Sequence, residues 1–173
     1  MFKKKKPNKI RNSILNMLSL IIVFVALFSY FTKNYAINRS ASIPTGIYKL
    51  LPIDEIKKGD TLIFNAEPEV VDFLLKRGYL SKYTKGFIKK VGAIEGDTVE
   101  INDNLIINGI VVKEKLPKYD SLGRELPLKK GTYTLKKDEY FMLGDHIKSF
   151  DSSYMGVIKK DQIKNKAKLE IGF

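Results

Sequence analysis

The longest apolar run in the chain lies close to its start. From Asn12 to Thr32 there is no charged side chain, and most residues are Leu, Ile, Val, Phe or Ala. Because an α-helix rises about 1.5 Å per residue, about twenty such residues cross a hydrocarbon layer of roughly 30 Å. The pattern predicts a transmembrane helix over residues 13–32, with its apolar part from Ser13 to Phe31.

A cleaved signal peptide is the alternative interpretation of this run. The apolar segment of a signal peptide is usually shorter and precedes a small-x-small cleavage site, whereas Phe28, Tyr30 and Phe31 close this one. A retained anchor is therefore favoured. The basic residues lie on its N-terminal side, which the positive-inside rule places in the cytoplasm. We expect a cytoplasmic tail over residues 1–12 and, outside the cell membrane, an extracytoplasmic domain over residues 33–173.

Beyond the anchor, the pattern changes to short β-branched and aromatic runs separated by Gly, Asn and Asp, which is typical of strands. Asn108-Gly109 lies between two runs and predicts a tight hairpin turn, because both residues tolerate positive φ. The segment from Ile94 to Asp97 predicts another turn. The predicted strands are Ile47–Leu51, Thr61–Phe64, Gly86–Ile94, Thr98–Ile101, Leu105–Ile107 and Ile110–Lys113.

One helical stretch is predicted outside the membrane. Apolar residues recur at helical spacing after Pro68, and proline suits the first turn of a helix. The predicted helix runs from Pro68 to Leu80 and forms a small helical insertion over residues 66–86. The expected fold class is therefore mainly β, a β-rich domain with a small helical insertion, preceded by one N-terminal transmembrane helix.

The net charge of +12 raises the question of a nucleic-acid partner. Half of it comes from the segment Lys3 to Arg11, and no acidic residue precedes Asp54. A moderately basic domain beside anionic headgroups has the same balance, so we expect membrane lipid as a partner and no nucleic acid. The chain has no Cys and one His, His146, which excludes Cys nucleophiles, disulfides and Cys/His zinc sites.

Three segments carry side chains suited to catalysis. Ser40 and Ser42 precede a Pro-Thr-Gly turn, although serines in such turns more commonly hydrogen-bond the backbone. Lys89 and Lys90 interrupt an apolar strand, so one of them should point inward, where burial would lower its pKa and make it a neutral base. The segment from Gly144 to Gly156 is rich in Gly, Asp and Ser, which is typical of an ordered loop.

Together these segments resemble the conserved boxes of the signal peptidase I family, the Ser/Lys membrane serine peptidases (S26). Ser42 to Tyr48 is similar to the nucleophile box, Phe87 to Asp97 to the lysine box, and Gly144 to Gly156 to the last box. The order and the spacing agree. The similarity extends roughly from Asn38 to Ile158.

A narrower resemblance is to the conjugative transfer signal peptidases, the TraF-type branch, in which the serine lies two residues before proline. Ser42 stands there, whereas general signal peptidases usually have the serine where this chain has Ala41. Departures from the family pattern are Ser153 at a common arginine position, Ile94-Glu95 at a usual proline, and the absence of the cysteines frequent in this branch. Further segments that resemble the branch are Arg77 to Leu80, Gly123 to Pro127 and Ser149 to Ser152.

The resemblance implies a serine endopeptidase with Ser42 as nucleophile and Lys89 as general base. Ser40 would contribute to the oxyanion hole, and Ser149 would orient the lysine amine. The same resemblance implies that the loop is braced by two carboxylates, those of Asp145 and Asp151.

The implied substrates are signal-peptide-bearing or pilin-like proteins with small residues before the cleaved bond, and no metal or organic cofactor is needed. The apolar segment from Ile43 to Leu51 favours an extended substrate that adds as a strand beside the site. Two alternatives stay open. One is a general secretory signal peptidase without a role in conjugation, and the other is a catalytically inactive membrane-tethered binding module.

Overall fold

A computed structural model describes residues 9–84 and 86–173. It begins with helix α1, Lys9–Asn34, in which no side chain is buried. Its 26 residues extend about 39 Å, more than the hydrocarbon core of roughly 30 Å. The helix is long and apolar enough to cross a membrane, and it contains the predicted span 13–32. Residues 1–8 of the predicted basic tail lie outside the described residues.

The described part of the chain beyond α1 folds mainly into two antiparallel sheets. The strands are β1 (Tyr35–Asn38), β2 (Gly46–Leu51), β3 (Thr61–Phe64), β4 (Phe87–Ala93), β5 (Thr98–Ile101), β6 (Leu105–Ile107), β7 (Ile110–Lys113), β8 (Gly131–Thr134), β9 (Glu139–Leu143), β10 (Ile158–Lys159) and β11 (Ile163–Gly172). The larger sheet has the order β1-β2-β11-β3-β4-β9-β10, and the smaller has the order β7-β6-β5-β8. The predicted fold class, mainly β with one apolar N-terminal helix, is confirmed.

The predicted turns are present. Asn108 and Gly109 have φ values of 52° and 78° and join β6 to β7, which is the geometry that a tight hairpin requires. At the other turn, Asp97 closes a loop on Ile94, because its carboxylate accepts the Ile94 N–H at 2.8 Å. These local signals place four of the strands correctly, from β4 through β7.

The insertion helix is shorter than predicted. Helix α2 spans Pro68–Lys76, with Arg77 as its C-cap, so the predicted end at Leu80 is wrong. Gly78 has φ +72°, a left-handed conformation that ends the helix. The chain then turns back, and the Tyr79 hydroxyl hydrogen-bonds the carboxylate of Asp120.

The three segments that carry the candidate chemistry are brought together by the larger sheet. The turn between β1 and β2 holds the serines, β4 holds the lysines, and β9 leads into the loop 144–151. Strand β4 lies between β3 and β9, with Leu62, Val91 and Met142 in the apolar cluster beneath. After the loop, a short helix, α3 (Ser152–Met155), is fully buried.

Candidate active site

The serine turn is organised by a buried asparagine at the end of β1. The Asn38 side-chain amide donates to the carbonyl oxygens of Ser40 at 2.9 Å, Ile43 at 3.2 Å and Pro44 at 3.0 Å. Its side-chain oxygen accepts the Ser40 N–H at 3.0 Å. The Tyr48 hydroxyl donates to the Pro44 carbonyl at 2.7 Å. These bonds hold the turn in one conformation, because three of its carbonyl groups and one N–H find side-chain partners.

Within this turn, the two candidate serines lie side by side. The Ser40 and Ser42 hydroxyl oxygens are 2.9 Å apart, and the Ser42 N–H donates to the Ser40 hydroxyl at 3.3 Å. Ser42 is 8% exposed, whereas Ser40 faces solvent. The hydroxyl of Ser40 and the backbone N–H of Ser42 are therefore close enough to donate to one oxygen atom placed between them.

The two lysines of β4 face opposite sides of the sheet, as the alternation of a strand requires. Lys89 is 5% exposed and lies opposite Leu62 of β3. Lys90 is partly exposed and pairs with Asp145 at 2.7 Å. The prediction that one lysine of this pair points inward is confirmed, and the inward lysine is Lys89.

The amine of Lys89 has an altered protonation equilibrium. The pKa of Lys89 is lowered from 10.5 to about 8, mainly by burial and in smaller part by the charge of Lys113, while Asp151 and Asp145 act in the opposite direction. The Lys89 Nζ donates to the Ser149 hydroxyl at 2.8 Å, a hydrogen bond that fixes where the amine points. A buried lysine of this kind is a candidate general base.

The loop 144–151 is held by the carboxylate of Asp151, which is fully buried. It accepts the N–H of Gly144 at 3.3 Å and, as the N-cap of α3, the N–H of Ser153 at 3.1 Å. Lys113 donates to the same carboxylate at 2.6 Å. Asp151 therefore connects the start of the loop, its end and a strand of the other sheet.

The same loop also contacts the serine turn. The Asp145 N–H donates to the Ser42 carbonyl oxygen. At Gly144, an added Cβ would lie 2.9 Å from the Ser42 carbonyl oxygen and closer still to the Ser149 hydroxyl, so only glycine fits between them. At Gly144 the loop is therefore packed between the Ser42 carbonyl on one side and the Ser149 side chain on the other.

The chain matches the family model described as signal peptidase, peptidase S26, over residues 10–171. It belongs to the signal peptidase family, peptidase S26. Among solved structures it is similar to a signal peptidase I from Enterococcus faecalis, with 22% identity, a TM-score of 0.39 and coverage of 66% of this chain and 97% of that chain. A comparison with curated proteins finds no match.

Membership of this family indicates the general activity, the class of substrate and the location of the protein. It is a serine peptidase, and the substrates of its family are proteins that bear signal peptides. Together with the apolar helix α1, the family also indicates a membrane-anchored protein. In the described part of the chain, no group of three or more His, Asp and Glu side chains is placed to hold a metal ion.

An extended substrate is expected to add as a strand beside the site, near the apolar segment from Ile43 to Leu51. The pairing of β2 limits where such a strand can lie. Gly46 to Lys49 of β2 pair with β1 on one side and with β11 on the other. Because a strand with two neighbours offers no free backbone groups, β2 cannot accept a substrate strand there.

Two polar residues of the peptidase site were missed in the sequence. Asn38 has a recognisable local signal, since an Asn two residues before a serine favours a side-chain turn. Lys113 has none, because its contact with Asp151 joins residues 38 positions apart. His146, which as the one histidine of the chain is the one candidate for a histidine base, lies on the exposed part of the loop, where its Nδ1 accepts the backbone N–H of Lys148 at 3.1 Å.

Proposed function

We propose that this signal peptidase is a membrane-anchored serine endopeptidase in which Ser42 is the nucleophile and Lys89 the general base. The observation that carries the proposal is the environment of Lys89, a buried amine whose pKa is lowered to about 8 and which donates to Ser149. The loop that carries Ser149 also hydrogen-bonds the backbone of Ser42. Activity is tested with a fluorogenic peptide that has alanine one and three residues before the scissile bond.

The lowered pKa determines whether a lysine can accept a proton near neutral pH. With a pKa of about 8, roughly one molecule in ten has a neutral Lys89 at pH 7, against fewer than about one in a thousand at the ordinary value near 10.4. The lowered pKa thus raises the population of the neutral, reactive form by more than about a hundredfold. The other buried lysine at this loop, Lys113, is paired with the carboxylate of Asp151, whereas Lys89 donates to a neutral hydroxyl.

The proposed reaction has two stages, acylation of Ser42 and hydrolysis of the acyl-enzyme. Neutral Lys89 takes the hydroxyl proton of Ser42 as the Ser42 oxygen attacks the carbonyl carbon of the scissile bond. The resulting lysine ammonium then returns the proton to the leaving amine, which leaves an acyl-enzyme on Ser42. A water molecule, deprotonated by Lys89, hydrolyses the ester, and the proton returns to the Ser42 oxygen. Ser149 keeps the amine oriented through each transfer.

Ser40 is proposed to stabilise the negative charge that develops on the carbonyl oxygen. Its hydroxyl and the Ser42 N–H are adjacent, and both can donate to an oxyanion. In the absence of substrate the two groups bond each other instead. The substrate oxygen would replace that bond, which is weak at 3.3 Å. Asp145 and Asp151 brace the loop that shapes this corner of the site.

We expect the N-terminus inside the cell and the peptidase domain outside the cytoplasmic membrane, because the basic residues precede the span. Protease added to intact spheroplasts should therefore digest the domain, while a cytoplasmic marker protein in the same cells stays whole. Full protection of the domain until the membrane is broken would contradict this orientation.

The role in conjugative transfer is supported by two segments that resemble the TraF-type branch, Arg77 to Leu80 and Gly123 to Pro127. They lie together in the fold, since Arg124 donates to Asp120 at 2.6 Å and to the Arg77 carbonyl at 3.3 Å. We propose pilin-like proteins of a transfer apparatus as the natural substrates. After depletion of the peptidase, mass spectrometry should detect unprocessed pilin-like precursors, whereas accumulation of many unrelated secretory precursors would favour a general signal peptidase.

A further inference from the structure

Lys113 is a buried cation that reaches the active-site loop from the other sheet. It is the last residue of β7, and its side chain is 9% exposed. Its Nζ lies 2.6 Å from the carboxylate of Asp151 and 3.4 Å from the carbonyl oxygen of His146. A lysine is rarely this buried without a specific partner, and here both partners belong to the loop 144–151.

Through Asp151 and the loop 144–151, Lys113 is connected to Lys89, the proposed general base. Asp151 holds the N–H of Gly144, and the loop between them carries Ser149, which accepts from Lys89. The carbonyl of His146, which Lys113 also contacts, accepts the Ser149 N–H at 2.9 Å. Loss of the Lys113 ammonium would therefore leave a buried carboxylate unpaired and release the loop at two points.

Lys113 also acts on Lys89 through its charge. The charges that act on the Lys89 amine are those of Asp151 and, more weakly, Asp145 on the loop, which favour its protonated form, and that of Lys113 on β7, which opposes it. Lys90, the neighbour on β4, is paired with Asp145 on the opposite side of the strand. Lys113 therefore offsets the buried negative charge of Asp151.

We propose that Lys113 is a positioning residue of the peptidase, whose ammonium neutralises Asp151, anchors the loop 144–151 and keeps the Lys89 amine available as a base. This inference rests on the proposed role of Lys89. It assigns Asp151 and Lys113 a joint function. The two charges must be present together, because either one alone would change the protonation of the base.

Substitutions of Lys113 and of Asp151 are expected to shift the pH dependence of activity in opposite directions. In the full chain in detergent, the rising limb of kcat/KM against pH reports the protonation of free Lys89. Lys113→Met should move this limb to higher pH, by roughly half to one unit, because it removes a cation and uncovers the Asp151 charge. Asp151→Asn should move it to lower pH, because the cation then stands alone.

Three further variants control the measurement. Lys113→Arg keeps the charge and should leave the limb where it is in the unmodified peptidase. The double variant Lys113→Met with Asp151→Asn removes both charges, so its limb should return close to that position. Lys58→Met breaks another lysine–aspartate pair, with the largely buried Asp97, and should not move the limb.

The results separate this inference from the proposed function. Opposite shifts for the two single variants, with recovery in the double variant, support the role of Lys113. A lower rate with an unmoved limb in Lys113→Met and in Asp151→Asn would overturn it. If Lys113→Met does not fold, the test rests on Asp151→Asn. The inference is then rejected if the rising limb of kcat/KM in Asp151→Asn does not move to lower pH. If Lys89→Met still cleaves the peptide, both the inference and the proposed function fail.

Discussion

Ser42→Ala and Lys89→Ala are each expected to lower kcat by a factor on the order of 10⁴ to 10⁶, because a nucleophile and its base act as a unit. The two losses should not add in the double variant, since either one already stops the acyl transfer. The measurement is cleavage of the fluorogenic peptide by the full chain, with far-ultraviolet circular dichroism to confirm that each variant is folded.

The matched controls come from the same strand and the same loop. Lys90→Ala removes a lysine next to Lys89 whose amine points outward to Asp145, and His146→Ala removes the alternative base. Both variants should retain substantial activity. If folded His146→Ala were as inactive as Lys89→Ala, a histidine base would replace the lysine in the mechanism.

Lys89→Met is expected to melt at a higher temperature than the unmodified peptidase at pH 7. Burial lowers the pKa of Lys89 to about 8, so the folded state carries a cost of roughly 3 kcal/mol when both states are protonated. Methionine has a similar shape and no charge, but it leaves Ser149 without its donor, which costs about 1 kcal/mol. The net gain is roughly 2 kcal/mol, or about 4 to 8 °C.

The pH dependence gives the sign of this effect. Below the folded pKa of about 8, Lys89 is charged in both states and the cost is fully present. Between that value and the unfolded pKa near 10.4, the unfolded chain binds more protons, so the stability contributed by this group rises with pH. The advantage of Lys89→Met should therefore be largest below about pH 8 and shrink toward about pH 10.

Melting is followed by near-ultraviolet circular dichroism on the full chain in detergent between about pH 6 and pH 10. Lys90→Met is the control, because its amine is partly exposed and contributes little to stability. A Lys89→Met protein that melts lower at every pH would mean that the lysine is charged and favourably paired. The general-base role would then have to be withdrawn.

The local features of the fold could be predicted because their causes are local. Asn108-Gly109 adopts positive φ whatever surrounds it, and the alternation of β4 sends Lys89 inward and Lys90 outward without reference to the other sheet. The uncharged run within α1 likewise predicts a membrane-spanning helix from its own length and composition. Each of these features depends on residues within a few positions of one another.

The features that were missed depend on distant partners. Strand β11 was missed although its lysines alternate with mostly apolar residues, which is the period of a strand. No local pattern shows that it pairs with β2 and β3. There, Lys166 reaches Asp54 and Asp60 at 2.6 and 2.9 Å. These contacts join residues more than 100 positions apart, so no local pattern could predict them.

The same distinction applies to the candidate site. The serines, the lysine and the loop could be predicted because each lies in a short segment with a recognisable local pattern: serines before a Pro-Thr-Gly turn, lysines within an apolar strand, and a loop rich in Gly, Asp and Ser. The link between Lys113 and Asp151 was not, because a lysine at the end of a strand looks like any solvated charge until the two sheets are packed together. Its function follows only from the assembled fold.

The most direct test of the central claim is the site of covalent labelling by a serine-reactive peptide analogue, such as a peptide boronate or aldehyde with alanine one and three residues before the reactive group. Mass spectrometry or crystallography of the full-chain complex should place the adduct on the Ser42 oxygen. Labelling should rise with pH through the pKa of Lys89, near 8, and should be lost in Lys89→Met. An adduct on another serine, or equal labelling of Ser42 in Lys89→Met, would contradict the Ser42 and Lys89 mechanism.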